Sequence, residues 1–403
     1  MLLEYGSIEL DLTRGQAEAV QRTGFVDVRP VTGGRWRLTA KSYVGSLVAD
    51  GIELLIRPKI NPENLFLLLE PGLPPAAWRQ EAFDYDTSSD LLPSVIAFFA
   101  RTVETTLGRG VLRSYQARQE SLVALRGRVD VVGQVSRAGV LTPVSCMYDE
   151  FSEDIFENRA LKAAIRLALR VPRVDGLDRR RLMRQLVALE GVADAAVRPE
   201  TVDAVPMTRL NQHYAPALGL ARLVLANLTL TDVRGGTSAS SFMVDMNDLF
   251  QRFVTERLRR ALRGRLEVID EPTVHLGLGS RVAMQPDLVF RGTTGTVRAV
   301  GDIKYKLADD ARGRSADYYQ LLAYTTAMDL PEGMLIYCRQ TDGRDQSTVT
   351  VRNSGNRLVL RAIDLGGSPE EVEHEILLLA EAIAALRGDG SNVAAGAGGR
   401  APW

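Results

Sequence analysis

The sequence predicts a multi-domain chain of mixed α and β structure, with a β-rich N-terminal region, a mostly helical middle and a C-terminal α/β unit. Three observations carry that reading. The first ~70 residues alternate β-forming runs with tight-turn signals. Residues from about 90 to 230 repeat apolar positions at helical spacing. After residue 245 the pattern runs helix, strand, strand, helix, strand.

At 403 residues the chain is too long for one compact core. Apolar residues make up 45% and charged residues 25%, the balance of a soluble globular protein. No run approaches the ~18 continuous apolar residues of a membrane span. The opening MLLEYGSIELDLTRGQ lacks a cationic segment followed by an apolar core, so no secretory signal is expected. Cys146 and Cys338 stand far apart, and with His213, His275 and His374 they form no zinc-ligand spacing. Free buried thiols in a reducing cytoplasm fit that pattern. A net charge of −1 argues against indiscriminate DNA binding over the whole surface. Local basic runs remain at 179–185 (RRRLMRQ) and 257–265 (RLRRALRGR).

In order, RWRLTA and SYVGSLV read as strands, and Asp50-Gly51 turns the chain into IELLIRPKI. NPENLFLLL reads as a helix stopped by PGLPP at 71–75. LLPSVIAFFARTVETTL is a helix, and LVALRGRVDVVGQV a short β-like interruption. NRALKAAIRLALR, RRRLMRQLVALEGV and APALGLARLVLANLTL follow as helices. RGGTSASS at 234–241 is a candidate linker. DMNDLFQRFVTERLRRALRG is a helix, followed by a strand pair, the helix SADYYQLLAYTTAM, and strands GMLIYCR and STVTVRN. Ser368, Pro369 and Glu371 mark the start of a last helix with a capping box, and Gly388 follows its stop. The expected units are 1–88, 89–235 and 236–388, with a disordered Gly/Ala-rich tail at 389–403.

The strand pair QPDLVFRGTTGTVRAVGDIKYKL carries the candidate chemistry. Its pattern is Pro286-Asp287, fourteen intervening residues, then Asp302-Ile303-Lys304. Two carboxylates at the ends of neighbouring strands can share one Mg²⁺, which prefers carboxylate oxygens. Strand side chains repeat every two residues, so Lys304 projects on the face of Asp302, where it can orient a water or stabilise developing charge. A hairpin with exposed acidic ends accounts for the same residues taken alone. On the next helix Gln320 and Tyr324 share a face that can support the site or reach DNA. Asp245, Gln251 and Glu256 are polar groups on the preceding helix. The order helix, P-D, D-x-K, Q-x3-Y is that of the PD-(D/E)xK nuclease superfamily.

The resemblance narrows further. DMNDLFQRFV, QPDLVF, GDIKYK and DYYQLLAY resemble the McrC family, as do RGRVDVVGQ, DEFSEDIFENRALKAA, LNQHYAPALGLARLVL and LIRPKINPENLFLLL. The likeness covers most of residues 40 to 385. It implies a C-terminal restriction-endonuclease-like PD-(D/E)xK domain in which Asp287 and Asp302 hold Mg²⁺ and Lys304 assists the water. It also implies an N-terminal part docked on a hexameric AAA+ GTPase, McrB, that recognises methylated DNA. Double-stranded DNA would be cleaved after GTP-driven translocation. One departure is Gln251, where the family pattern has Glu and where a neutral amide adds no charge to a metal. Glu256, more than a turn further on, is a poor substitute, and His275 reads as a surface or core residue. No G-x4-G-K-[ST] run is present, so GTP is expected on the partner rather than on this chain. Two other readings stay open: a nuclease of another defence or repair system (RecB-like), or a non-catalytic regulator of an AAA+ motor. Arg57 and Lys59 are candidate contacts to an acidic partner, and the run 257–265 is expected to meet phosphates in a salt-sensitive way.

Overall fold

The computed structural model describes residues 1–69, 82, 84, 85, 90–137, 140, 142–172, 174–233, 237–277, 279–307, 315–339 and 346–386. Among them no helix is long and apolar enough to cross a membrane. The expected helix stop at 71–75, Gly388 and the tail 389–403 lie outside the described residues.

The chain opens with β1 (Leu2–Leu3), β2 (Ser7–Leu10), α1 (Arg14–Arg22), β3 (Val26–Pro30), β4 (Trp36–Ala40), β5 (Tyr43–Ala49) and β6 (Ile52–Arg57). Thr13 and Gln16 close a capping box on α1. Strands β2, β4 and β3 form a small antiparallel sheet, in that order. Asp50 and Gly51, with φ of +45° and +75°, turn β5 into β6, the geometry that an Asp-Gly pair supplies to a hairpin.

The middle is built on α2 (Pro62–Leu69), α3 (Leu91–Leu107), then β7 (Ser114–Leu122), β8 (Arg128–Val129), α4 (Val131–Val135) and β9 (Val144–Ser152). Four helices follow: α5 (Phe156–Leu169), α6 (Gly176–Ala188), α7 (Pro199–Asp203) and α8 (Ala215–Asn227). Apolar faces at helical spacing pack α3, α5, α6 and α8 into one core, where Phe98, Leu161, Leu182 and Leu220 are fully buried. The expected β-like interruption is larger than the pattern implied. Strands β7, β9 and β8 form a three-stranded arm, and VVGQV within it is helical.

The candidate linker at 234–241 is corrected over 237–241. β10 (Leu228–Val233) and β11 (Thr237–Asp245) are paired strands, and β11 runs antiparallel to β5 in a sheet ordered β1-β6-β5-β11-β10. The LTL predicted as helix end is the start of β10. Residues 234–236 lie outside the described set.

The β5–β11 junction has a steric test. Gly45 sits at φ +130°, and a Cβ there would fall 1.9 Å from the Phe242 carbonyl oxygen. We expect Gly45→Ala to cost roughly 3 kcal/mol or more through backbone strain and clash. It should appear as a lowered urea midpoint at unchanged slope; a midpoint equal to wild type would contradict this packing.

The C-terminal part is an α/β unit. It comprises α9 (Met246–Ala261), β12 (Leu266–Asp270), β13 (Val274–Gly277), β14 (Arg281–Met284), β15 (Leu288–Gly292), β16 (Val297–Leu307) and α10 (Ser315–Ala327). β17 (Glu332–Arg339), β18 (Gln346–Thr350), β19 (Arg357–Asp364) and α11 (Pro369–Ala385) complete it. Six strands make one mixed sheet, ordered β12-β15-β16-β17-β19-β18. Helix α9 covers one face, where Phe250 meets Tyr305. Helix α10 covers the other, packing Leu321 and Tyr324 over Val300 and Leu335. The Ser368–Glu371 capping box starts α11 as predicted. The N-terminal region is bonded directly into this unit: Asn64 Nδ2 donates to the carbonyls of Leu365 and Gly367, and Ser42 bonds Asp245, the N-cap of α9.

Candidate active site

Asp287 immediately precedes β15, and Asp302 and Lys304 lie within β16. The Leu288–Gly301 pairing brings the two strands together, and beyond it the Ile303 N–H donates to Asp287 Oδ2 at 2.6 Å. Alternation along β16 puts Asp302 and Lys304 on one face. Lys304 Nζ is 2.7 Å from Asp302 Oδ2 and 3.8 Å from Asp287 Oδ2. Ile303 points the other way, into the core that includes α9.

Burial sets the electrostatics. The Asp302 side chain is 0% exposed and that of Lys304 22%. Neither carboxylate oxygen of Asp302 receives an aligned hydrogen bond. The lysine contact is therefore a close ion pair at a poor angle, which offsets charge but leaves lone pairs without donors. Burial first, and then the Asp287 charge, push the Asp302 carboxyl up to about 7 against the opposing pull of Lys304. Burial disfavours the Lys304 ammonium, but the Asp302 and Asp287 carboxylates outweigh it and its pKa is raised.

Gln320 and Tyr324 do share one face of α10. Gln320 Nε2 donates to the Tyr324 hydroxyl at 2.7 Å, and that hydroxyl donates to the Gln285 carbonyl at 3.1 Å. The pair thus braces the backbone two residues before Asp287. Tyr324 is buried, and burial followed by the Asp302 charge raises its phenol pKa.

Residues that the sequence reading did not single out complete the surroundings. Glu271, at φ +48°, donates its N–H to the Asp287 carbonyl at 3.1 Å and accepts Gln285 Nε2 on its own carbonyl. Its carboxylate accepts Gln251 Nε2 at 3.0 Å. Gln251 is thus tied to an acid on the sheet edge. Glu256 instead bonds Arg259 and lines a cavity of about 530 Å³ together with Arg252, Arg260 and Arg263. His275 is exposed on β13.

Much of the basic run 257–265 is engaged internally: Arg257 with Glu373, Arg259 with Asp270, Arg265 with Glu381. Arg260 and Arg263 of the same run are exposed.

Behind the site, Tyr305 turns its hydroxyl to Glu4 Oε1 at 2.8 Å, an oxygen that also accepts the Lys59 N–H at 2.9 Å. Glu4 is fully buried and its other oxygen has no partner; burial raises its pKa. This bond ties the strand bearing Lys304 to the residue that follows β1, 301 residues away in sequence. We expect Tyr305→Phe to cost about 1–3 kcal/mol by removing a donor from a buried carboxyl. Denaturant unfolding measures it, and wild-type stability would show that the bond adds nothing.

The donor set suits a hard divalent cation. Asp287 and Asp302 offer carboxylate oxygens from adjacent strands, and the buried oxygens of Asp302, which the Lys304 ammonium approaches without an aligned hydrogen bond, suit such a cation. Among the described residues no group of three or more His, Cys, Asp or Glu side chains could hold a metal ion. A cation held by two carboxylates would keep several waters, as Mg²⁺ does.

The model of the family described as McrBC 5-methylcytosine restriction system component matches residues 38–338. The chain belongs to this family. Its fold is similar to that of a chain in the refined half-complex from the tetradecameric assembly of Thermococcus gammatolerans McrB AAA+ hexamers with bound McrC. The identity is 21% and the TM-score 0.52, over 94% of this chain and 99% of that one. A chain of the T. gammatolerans McrBC complex solved by cryo-EM matches at 24% identity and TM-score 0.42, over 65% and 87% of the two chains. No curated protein matches the chain.

Proposed function

We propose that this McrBC-family chain is the Mg²⁺-dependent endonuclease subunit of a restriction complex that cleaves double-stranded DNA carrying modified cytosine. The carrying observation is the buried Asp302 with no aligned donor, next to Lys304 on β16 and to Asp287 immediately before β15. In this reading residues 236–388 are a PD-(D/E)xK domain, and Asp287 and Asp302 hold the cation. Mg²⁺ bound there supplies charge neutralisation at the scissile phosphate and a more acidic water. Lys304 aims its ammonium at the space in front of both carboxylates, where it orients the attacking water and stabilises charge on the phosphate. The Ile303 N–H fixes the Asp287 carboxylate, and Tyr324 with Gln320 fixes the backbone that carries it. Held groups of this kind avoid reorganisation during the reaction.

The partner in this reading is an AAA+ GTPase hexamer of the McrB kind. The family match and the shared fold with a chain of an assembly containing McrB hexamers and McrC support it. The arm offers a docking surface: Val123, Val131, Val132 and Val135 are 65–87% exposed there, and clustered apolar exposure marks a protein contact. The N-terminal unit 1–88, with Arg57 and Lys59, is the other docking region in this reading, and the Glu4–Tyr305 bond ties it to the strand that bears Lys304. The partner would bind GTP, read the modified base and be stimulated by this chain, in a cytoplasmic complex.

The test is supercoiled plasmid incubated with this chain, its AAA+ partner and GTP. Cleavage should stop with EDTA and return with Mg²⁺. Cleavage indifferent to EDTA would overturn the metal reading.

A further inference from the structure

We propose that Glu271 is a third acidic group of this site, which holds the outer hydration shell of the cation, and that Gln251 is its positioning residue. The inference rests on the metal-site reading above.

Four observations carry it. First, register: Asp270 pairs with Leu288, and the next bond of that ladder joins the Glu271 N–H to the Asp287 carbonyl at 3.1 Å. The edge β12-β15-β16 therefore presents Glu271, Asp287 and Asp302 at its end.

Second, charge. The acids nearby on β12 have cationic partners, Glu267 with Arg291 and Asp270 with Arg259. Glu271 has no ion pair among the described residues, and its carboxylate is held by the neutral amide of Gln251 at 3.0 Å. Asp302 and Asp287 share one ammonium, Lys304, and with Glu271 bonded next to Asp287 this end of the sheet carries a negative excess that a divalent cation balances.

Third, Asp302, one strand further on, is fully buried with no aligned donor. Fourth, Glu271 is a non-glycine residue in the left-handed region, at φ +48°, where its backbone is fixed from both sides by Asp287 and Gln285. Strain of this sort is maintained where surrounding bonds over-determine it.

The three acids do not converge as direct ligands, so Glu271 acts through water. Outer-shell carboxylates of this sort tune metal affinity by about 10–100-fold. Gln251 reaches to 3.0 Å of the Glu271 carboxylate, so an acid at position 251 would project charge into nearly the same place.

Mn²⁺ titration of the full chain by calorimetry tests this without reading activity. Glu271→Gln should weaken Mn²⁺ binding about tenfold. The double variant Gln251→Glu with Glu271→Gln should recover to within about threefold of wild type, which no loss of packing would produce. Asp302→Asn is the control. If it abolishes Mn²⁺ binding while Glu271→Gln binds as wild type, this inference fails and the metal site stands. Failure of the double variant to recover also overturns the inference. If wild type binds no Mn²⁺, or if Asp302→Asn binds it unchanged, both readings fall.

Discussion

Lys304→Ala is expected to lower DNA cleavage by about a thousandfold in the assembled complex, because one preorganised charge donor is worth about 10²–10³ in rate. The loss should fall on turnover rather than on DNA binding, since Lys304 is 22% exposed and faces the two carboxylates. GTP hydrolysis by the partner should persist, because the lysine lies in the sheet of the α/β unit while the exposed Val123, Val131, Val132 and Val135 of the proposed docking surface lie on the arm. Single-turnover cleavage, with partner GTP hydrolysis measured in parallel, separates these effects. If Lys304→Ala cuts as wild type does, the edge is not catalytic, and the chain is better described as a regulator of the motor.

The second large effect concerns pH. Asp302 is held up to about 7 in the folded, metal-free chain against an ordinary 3.8. Between these values the native protein keeps a proton that the unfolded chain has lost. Its contribution to stability is therefore greatest below about pH 4, falls as pH rises, and is exhausted above about 7. The slope is at most ~1.4 kcal/mol per pH unit, roughly 4 kcal/mol in all. The raised pKa of Lys304 acts only above its ordinary 10.5, outside this window. Glu4 and Glu373 are also raised, so the total slope mixes several acids. The difference between wild type and Asp302→Asn in EDTA, at pH 5 and pH 8, isolates one residue. Divalent cation binding should move oppositely, strengthening up to about pH 7 and releasing protons as it does so. A difference that does not change between pH 5 and 8 would mean that Asp302 is ionised throughout.

The sequence made visible what is local. The capping box at Ser368–Glu371 and the Asp50-Gly51 turn are set by contacts within a few residues. The D-x-K alternation that puts Asp302 beside Lys304 needs only the two-residue strand repeat. Joined to Pro286-Asp287 by one hairpin, that repeat placed both acids on one edge. What stayed hidden is long-range or lacks a pattern. Strand β7, SYQARQESL, is mostly polar and has no sustained apolar alternation, so its sequence gives no strand signal. The Thr237–Asp245 strand looks like a linker by composition and becomes a strand through pairing with Tyr43–Ser46, some 200 residues earlier. The Glu4–Tyr305 bond spans 301 positions. Glu271 escaped notice because its link to Asp287 is a backbone bond across strands, to which side-chain spacing gives no clue. Gln251, noted only as a departure from the family pattern, acquires a role once Glu271 is seen within its reach.

The most direct measurement is cleavage of methylated and unmethylated plasmid by this chain mixed with its AAA+ partner, Mg²⁺ and GTP, with Lys304→Ala alongside. The account predicts cleavage of methylated plasmid only, requiring GTP and lost in the variant. No cleavage under any condition, with the partner's GTP hydrolysis still accelerated, would contradict it.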